Sequence, residues 1–255
     1  STSASGIGSS AIGAGSRAQA IYSTAVGAGS AATDRSAVAI GGIVDVLQDQ
    51  VGDGYAGLQL QNTVASGRLS TAVGGGAQAT EYNAVALGVL AKASDIRSVA
   101  VGDNSAATAL RAVALGSGAK ATEVSSIAVG PSTVAGAAES SVFGGSAAAY
   151  GLGGTAIGSS AFANGSYGTS VGYRAWAQSD DSVAIGHNAM IWAQTAEDTP
   201  VKFAHGIAIG GSTNISGSDS VAIGYGAKVG DDLFLVDKAK VVNNSVGLGA
   251  DATAY

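Results

Sequence analysis

Apolar positions in this chain recur every 14 residues. A glycine preceded by an aliphatic residue or Phe stands at Gly13, Gly27 and Gly41. It resumes at Gly74, Gly88, Gly102, Gly116, Gly130, Gly144, Gly158, Gly172 and Gly186, and returns at Gly210, Gly224 and Gly249. Three steps are longer than 14: from 41 to 74, from 186 to 210 and from 224 to 249, carrying 19, 10 and 11 extra residues. Self-similarity at a fixed period over 15 copies is the mark of a stacked-repeat architecture.

Positions counted forward from each glycine carry distinct chemistry. Position 13 is always apolar, and position 12 is Ala in 12 of the 15 copies, with Val142, Ser170 and Gly247 as the others. Position 11 is mostly Val, Ile or Thr, and position 10 is always Ser, Ala or Gly. This period-two, β-branched segment predicts a strand of about five residues with one large apolar face and one small face. Positions 3 and 5 are small in most copies, as in Ser16 and Ala18 or Ala91 and Ala93, while position 4 between them varies freely. That pattern predicts a second strand with one buried and one wet face. Positions 7 to 9 hold turn residues and charges, such as Ser94-Asp95 and Ser179-Asp180-Asp181.

Each unit therefore reads as strand, turn, strand, glycine turn. Units stacked at the spacing of neighbouring strands build an all-β parallel solenoid of 14-residue coils, about 70 Å long for the whole array. The chain is read as one domain over 1–255. Its coils span 1–41, 68–190 and 206–228, with a last coil at 243–255, and its insertions fall at 42–67, 191–205 and 229–242. The first insertion predicts a hairpin: Ile43-Val44-Asp45-Val46-Leu47 and Leu58-Gln59-Leu60-Gln61 flank Gly52-Asp53-Gly54.

The second strand has no face left for water. With its small face inside the coil, Val and Ile line the outside in a strip far larger than a soluble monomer exposes. With the reverse orientation, the small face lies at the interface. Either way, identical copies must cover one another. The residues placed in this coil or interface core are Val99, Val101, Val113, Leu115, Ile127, Val129, Val183, Ile185, Val221 and Ile223.

Composition narrows the function classes. Charged residues are 12% and aromatics 5%, so side chains that would fill a conventional globular core are scarce. The formal charge is −6 and no Lys/Arg cluster occurs, which argues against nucleic acid or an anionic membrane as partner. There is no cysteine, and no run of 18 apolar residues predicts a spanning helix. No cofactor, nucleophile–base pair or phosphate loop is legible. Gly74-Gly75-Gly76 lacks both the Lys of a phosphate loop and the Asp of a calcium-binding roll. The acid pairs Asp180-Asp181 and Asp231-Asp232 read as solvated turns.

The segments Ser182-Val183-Ala184-Ile185-Gly186, Ser220-Val221-Ala222-Ile223-Gly224, Ser98-Val99-Ala100-Val101-Gly102 and Asn244-Ser245-Val246-Gly247-Leu248-Gly249 resemble the NSVAIG repeat of YadA-like head domains, the heads of trimeric autotransporter adhesins. Many copies carry another residue in place of the leading Asn. The resemblance covers nearly the whole chain outside the insertions. It implies a left-handed parallel β-roll, a homotrimer, and display on a stalk at the Gram-negative outer membrane. It also implies attachment to host extracellular matrix or cells, and autoagglutination, without enzymatic activity. A stalk and membrane anchor are not legible here, and the chain reads as a head taken from a larger surface protein.

Position 4 supplies a candidate ligand surface. Val134, Ala148, Phe162, Trp176 and Met190 fall on successive coils, with Tyr167 and Tyr173 near them in sequence. Exposed aromatic anchors typify binding hot spots; the alternative is packing beneath the neighbouring insertion. The insertions themselves read equally as clamps on a neighbouring protomer or as recognition loops. His187 and His205 flank the second insertion, and Glu197 or Asp198 offers a further metal ligand, but a structural or solvated role suits them better. Competing classes are a non-adhesive fibre spacer, an enzymatic solenoid and an ice-binding solenoid. Acyltransferase solenoids repeat every six residues, and carbohydrate-cleaving β-helices carry clustered acids. An ice binder needs a regular Thr ladder, whereas Thr24, Thr71, Thr155 and Thr169 are scattered in a column expected to be buried.

Overall fold

A computed structural model of the chain describes residues 1–45, 60–192, 205–216, 219–230 and 244–254. It divides into two compact units, 1–125 and 126–255. Each is built of the same coil: a two-residue strand, a corner, a three-residue strand and a second corner. In the first unit, two-residue strands such as Gln78–Ala79, Lys92–Ala93 and Ala106–Ala107 line up in parallel, and three-residue strands such as Val85–Leu87 and Val99–Val101 form a second parallel sheet. The second unit repeats this, for example with Phe162–Ala163 beside Trp176–Ala177 and Thr169–Val171 beside Val183–Ile185. Every register step is 14 residues where no insertion intervenes. No helix long and apolar enough to cross a membrane occurs among the described residues.

The interior is made almost entirely of small side chains. Positions 3 and 5 face positions 10 and 12 across the coil, and Ala91, Ala93, Ala100 and Ser98 are completely buried. Most of the serines and threonines there spend their hydroxyls locally, Ser70 at position 10 being an exception whose buried hydroxyl has no partner among the described residues. At position 10, Ser23, Ser98, Ser140 and Ser182 donate to the carbonyl three residues back at 2.6–2.7 Å. At position 3, Ser16, Ser30, Ser105 and Thr133 donate to the preceding column glycine at 2.8–2.9 Å. A buried hydroxyl satisfied this way avoids the desolvation cost of an orphan polar group.

Larger interior residues are matched by glycines opposite. Ile191, Ile215 and Val229 replace the usual Ala at position 5 and are buried. A Cβ added at Gly206 would stand 3.0 Å from Ile191 Cγ2, and one at Gly247 would stand 3.4 Å from Val229 Cγ2. The interior thus keeps its volume while exchanging its parts. Gly206→Val should destabilise the chain by about 2 kcal/mol through overpacking, and Ile191→Ala in the same chain should recover most of that loss. A denaturant-melt double-mutant cycle measures the coupling.

The corners explain the rest of the repeat. The column glycines all have φ between 113 and 155°, and an added Cβ at Gly88 would lie 2.5 Å from the Gly102 carbonyl oxygen of the next coil. Among the described residues, every non-glycine residue with positive φ falls at position 2 or position 9 of the coil. Asn83, Asn104, Asn188 and Asn244 are among them, and Asn tolerates this left-handed conformation better than most residues. The leading Asn of the repeat is therefore a corner residue at position 9, and its frequent replacement by Ser, Asp or Arg leaves the corner geometry intact. The left-handed residue also shortens the second strand: three residues, not the expected five, stay in extended backbone.

The insertions leave at corners. The base of the predicted hairpin is present, with Val44–Asp45 antiparallel to Leu60–Gln61; the rest of it lies outside the described residues. Its base docks on glycines. The Ile43 side chain occupies the space a Cβ at Gly29 would need, Val44 does the same at Gly75, and Gln61 Nε2 donates to the Gly76 carbonyl at 2.9 Å. Gly74-Gly75-Gly76 is thus a seat for the hairpin. Val64–Ala65 already runs in the two-residue-strand sheet beside Gln78–Ala79, so the coil resumes before residue 68. Ile191 and Val229, at the starts of the other two predicted insertions, likewise lie in coil strands.

Candidate ligand-binding face

Position 4 points out of the coil, and so does position 6 two residues later, because side chains alternate along an extended segment. In the second unit this outer surface carries the chain's aromatic row. Ala148 pairs with Phe162, Phe162 with Trp176 and Trp176 with Met190, one coil apart each time. Rings meet across successive coils: Tyr150 to Phe162 at 5.9 Å, Phe162 to Trp176 at 5.7 Å and Trp176 to Trp192 at 5.6 Å between centroids, each pair tilted or edge-on. Such tilted contacts are the favoured geometry for aromatic pairs. Phe162, Trp176 and Met190 are half-buried, Tyr150 is exposed, and a Cβ at Gly136 would touch the Tyr150 ring.

The structure thus brings Phe162 and Trp176 together, with Met190 in register, and adds Tyr150 and Trp192. Those two stand at position 6, so column 4 alone does not reveal them, whereas the two-residue alternation extended to position 6 does. Tyr167 and Tyr173 do not join it. Tyr167 sits at a position-9 corner, over Gly153. Tyr173 sits at position 1, where its ring stacks on His187 at 5.5 Å, with the Arg174 guanidinium 6.0 Å from its centroid.

The two histidines are apart. His187 belongs to that position-1 stack, whereas His205 is at a position-9 corner. There its Nδ1 lies 3.0 Å from Asp219 Oδ1 and its Nε2 lies 3.9 Å from Asp181 Oδ2. The two do not come together at one site, and among the described residues no group of three His, Asp or Glu side chains is arranged to hold a metal ion. Glu197, Asp198 and Asp231-Asp232 lie outside those residues. Asp180 Oδ1 accepts from the Ser166 backbone N–H at 2.8 Å, tying neighbouring coils at their corner.

The ten residues expected in the coil or interface core all face outward and differ only in exposure. Val99, Val101, Val113, Leu115, Ile127, Val129, Val183 and Val221 are half-buried, and Ile185 and Ile223 are exposed. None lies in the coil interior, which the alanines between them fill. They form the outer apolar face of the three-residue-strand sheet, within each unit. Thr24, Thr71, Thr155 and Thr169 lie half-buried on this same outward face; of the four only Thr155 and Thr169 are adjacent.

A family model of the YadA head domain repeat matches residues 4–30, 18–42, 65–89, 79–105, 107–133, 163–189 and 204–227, together more than half of the chain. The chain belongs to the YadA head family. Among solved structures this YadA-family head is similar to the crystal structure of the collagen-binding domain of the Yersinia adhesin YadA. The two are 24% identical, over 82% of this chain and 80% of that one, with a TM-score of 0.33. No curated protein sequence matches.

Proposed function

We propose that this YadA-family head is the adhesive part of a bacterial surface fibre. It works as a homotrimer on the Gram-negative outer membrane and binds host extracellular matrix or cell surfaces, not by catalysis. The supporting observation is the run of head repeats through both units. The physical companion is the outer Val/Ile face, which one chain leaves open to water and which three copies packed around an axis would cover. Autoagglutination follows from the same adhesive role between cells. The aromatic row on the opposite sheet stays outside such an interface and is the surface on which a ligand would sit.

Recombinant chain should adhere to at least one of fibronectin-, collagen- or laminin-coated surfaces, and Trp176→Ala should lower that adhesion at least tenfold while thermal melting stays within a few degrees. Equal adhesion by the folded variant removes the aromatic row from the binding surface. No adhesion by the parent chain to any matrix protein or cell favours a spacer role.

A further inference from the structure

We infer that the aromatic row is a binding platform for a neutral, unbranched, β-linked glycan chain. This rests on the reading of that face as a ligand surface and adds the ligand's chemical class. Three features of the face point to it.

The first is its mixture of groups. Between the rings of column 4 and column 6 stand two amides, Asn164 and Gln178. Asn164 is exposed and Gln178 half-buried, and neither side chain hydrogen-bonds to any of the described residues. Ring faces and edges cover the apolar C–H faces of sugars, and planar amides both donate to and accept from sugar hydroxyls. A purely apolar partner would leave those amides unpaired at a cost.

The second is charge. Outward positions 4 and 6 carry no formal charge from Val134 to Trp192, whereas the same columns carry Arg17, Lys92 and Lys120 in the first unit and Lys228 after the row. An acidic polysaccharide or a charged peptide finds no counter-charge in these columns, and a neutral chain needs none.

The third is period. The rings follow one another at one per coil, 5.6–5.9 Å between centroids. A pyranose unit is about as long as the strand spacing of roughly 4.8 Å, so a β-linked chain laid along the coil direction presents one sugar to each coil over four coils. Each contact is weak singly, and the repeat supplies the sum.

The chain contains two tryptophans, Trp176 and Trp192, and both belong to the row. Its tryptophan emission therefore reports this site alone. Titration of the full chain with cellohexaose and with chitohexaose should give a saturable emission change with at least one of them, and the disaccharides should bind at least tenfold more weakly. The Asn164→Ala/Gln178→Ala double variant keeps the rings and should lose at least fivefold in affinity with unchanged melting. No emission change with either hexasaccharide overturns the inference. If Trp176→Ala still abolishes attachment to protein-coated surfaces in that case, the adhesive reading stands and only the ligand class falls. If it changes neither, both fall.

Discussion

Gly158→Ala should cost about 3 kcal/mol or more of stability, enough to leave the chain unfolded or aggregated near physiological temperature. Two effects add. Gly158 has φ of +125°, a region an L side chain enters only with strain. The new methyl would also stand 2.5 Å from the Gly172 carbonyl oxygen and 2.7 Å from its carbon, both backbone atoms of the next coil. Neither neighbour is free to move, because Gly172 makes the same approach to Gly186. Relief at one coil would demand displacement of the coils beyond it. Gly145→Ala is the matched control. Its φ is not positive and its nearest new contact is Pro131 Cγ at 3.6 Å, so stability should stay within about 0.5 kcal/mol or rise slightly. Thermal and urea melts of the two variants separate a column glycine from an ordinary one. Equal stability would mean that the glycine column is not what sets the coil spacing.

Val99→Asp should abolish trimer assembly while leaving the coil's own interior untouched. Val99 points outward from the three-residue-strand sheet, and its neighbour Ala100 points inward and is fully buried. In the proposed trimer, three copies of residue 99 approach one axis. A carboxylate there is desolvated without a partner and faces two like charges, a penalty of about 3–5 kcal/mol per buried unpaired group. Sedimentation velocity should show only monomer and irregular aggregate at concentrations where the parent chain is a single larger species. Lys92→Asp, which introduces the same carboxylate and an even larger charge change at an exposed outward position of the other sheet, should leave assembly unchanged. A Val99→Asp chain that still assembled would place the interface elsewhere.

Much of this fold was legible from spacing alone. A period of 14, two columns of small residues in each strand and a glycine before each turn define a two-sheet coil with no room for large side chains. The direction of the Val/Ile face was not legible. Both of its neighbouring columns are restricted, and sequence records restriction without saying whether a coil or a partner imposes it. The coordinates settle it for residues such as Val99 and Ala100 by burying the alanine. The sequence marks positions 7 to 9 as turns but gives no sign of their backbone conformation, and none of position 2. The positive φ at positions 2 and 9 is shared by Leu69, Leu90 and Tyr22, residues whose chemistry gives no hint of a left-handed backbone. The ends of the insertions differ from the expected bounds. Ile191 and Val229 fall in the segments 191–205 and 229–242 expected as insertions, yet they lie in coil strands, with glycines 206 and 247 taking up the volume. The aromatic row was half visible: Phe162 and Trp176 stand in one column, but Tyr150 and Trp192 reach them from the next outward column of other coils.

In the proposed trimer, the outward Val/Ile face of each unit is covered by the partner copies. Sedimentation equilibrium of the full chain in dilute buffer tests this directly. The predicted result is one species of three times the chain mass, persisting at low micromolar concentration. A folded, well-dispersed monomer across the same range would contradict it, because the Val/Ile face would then be stable against solvent without a partner.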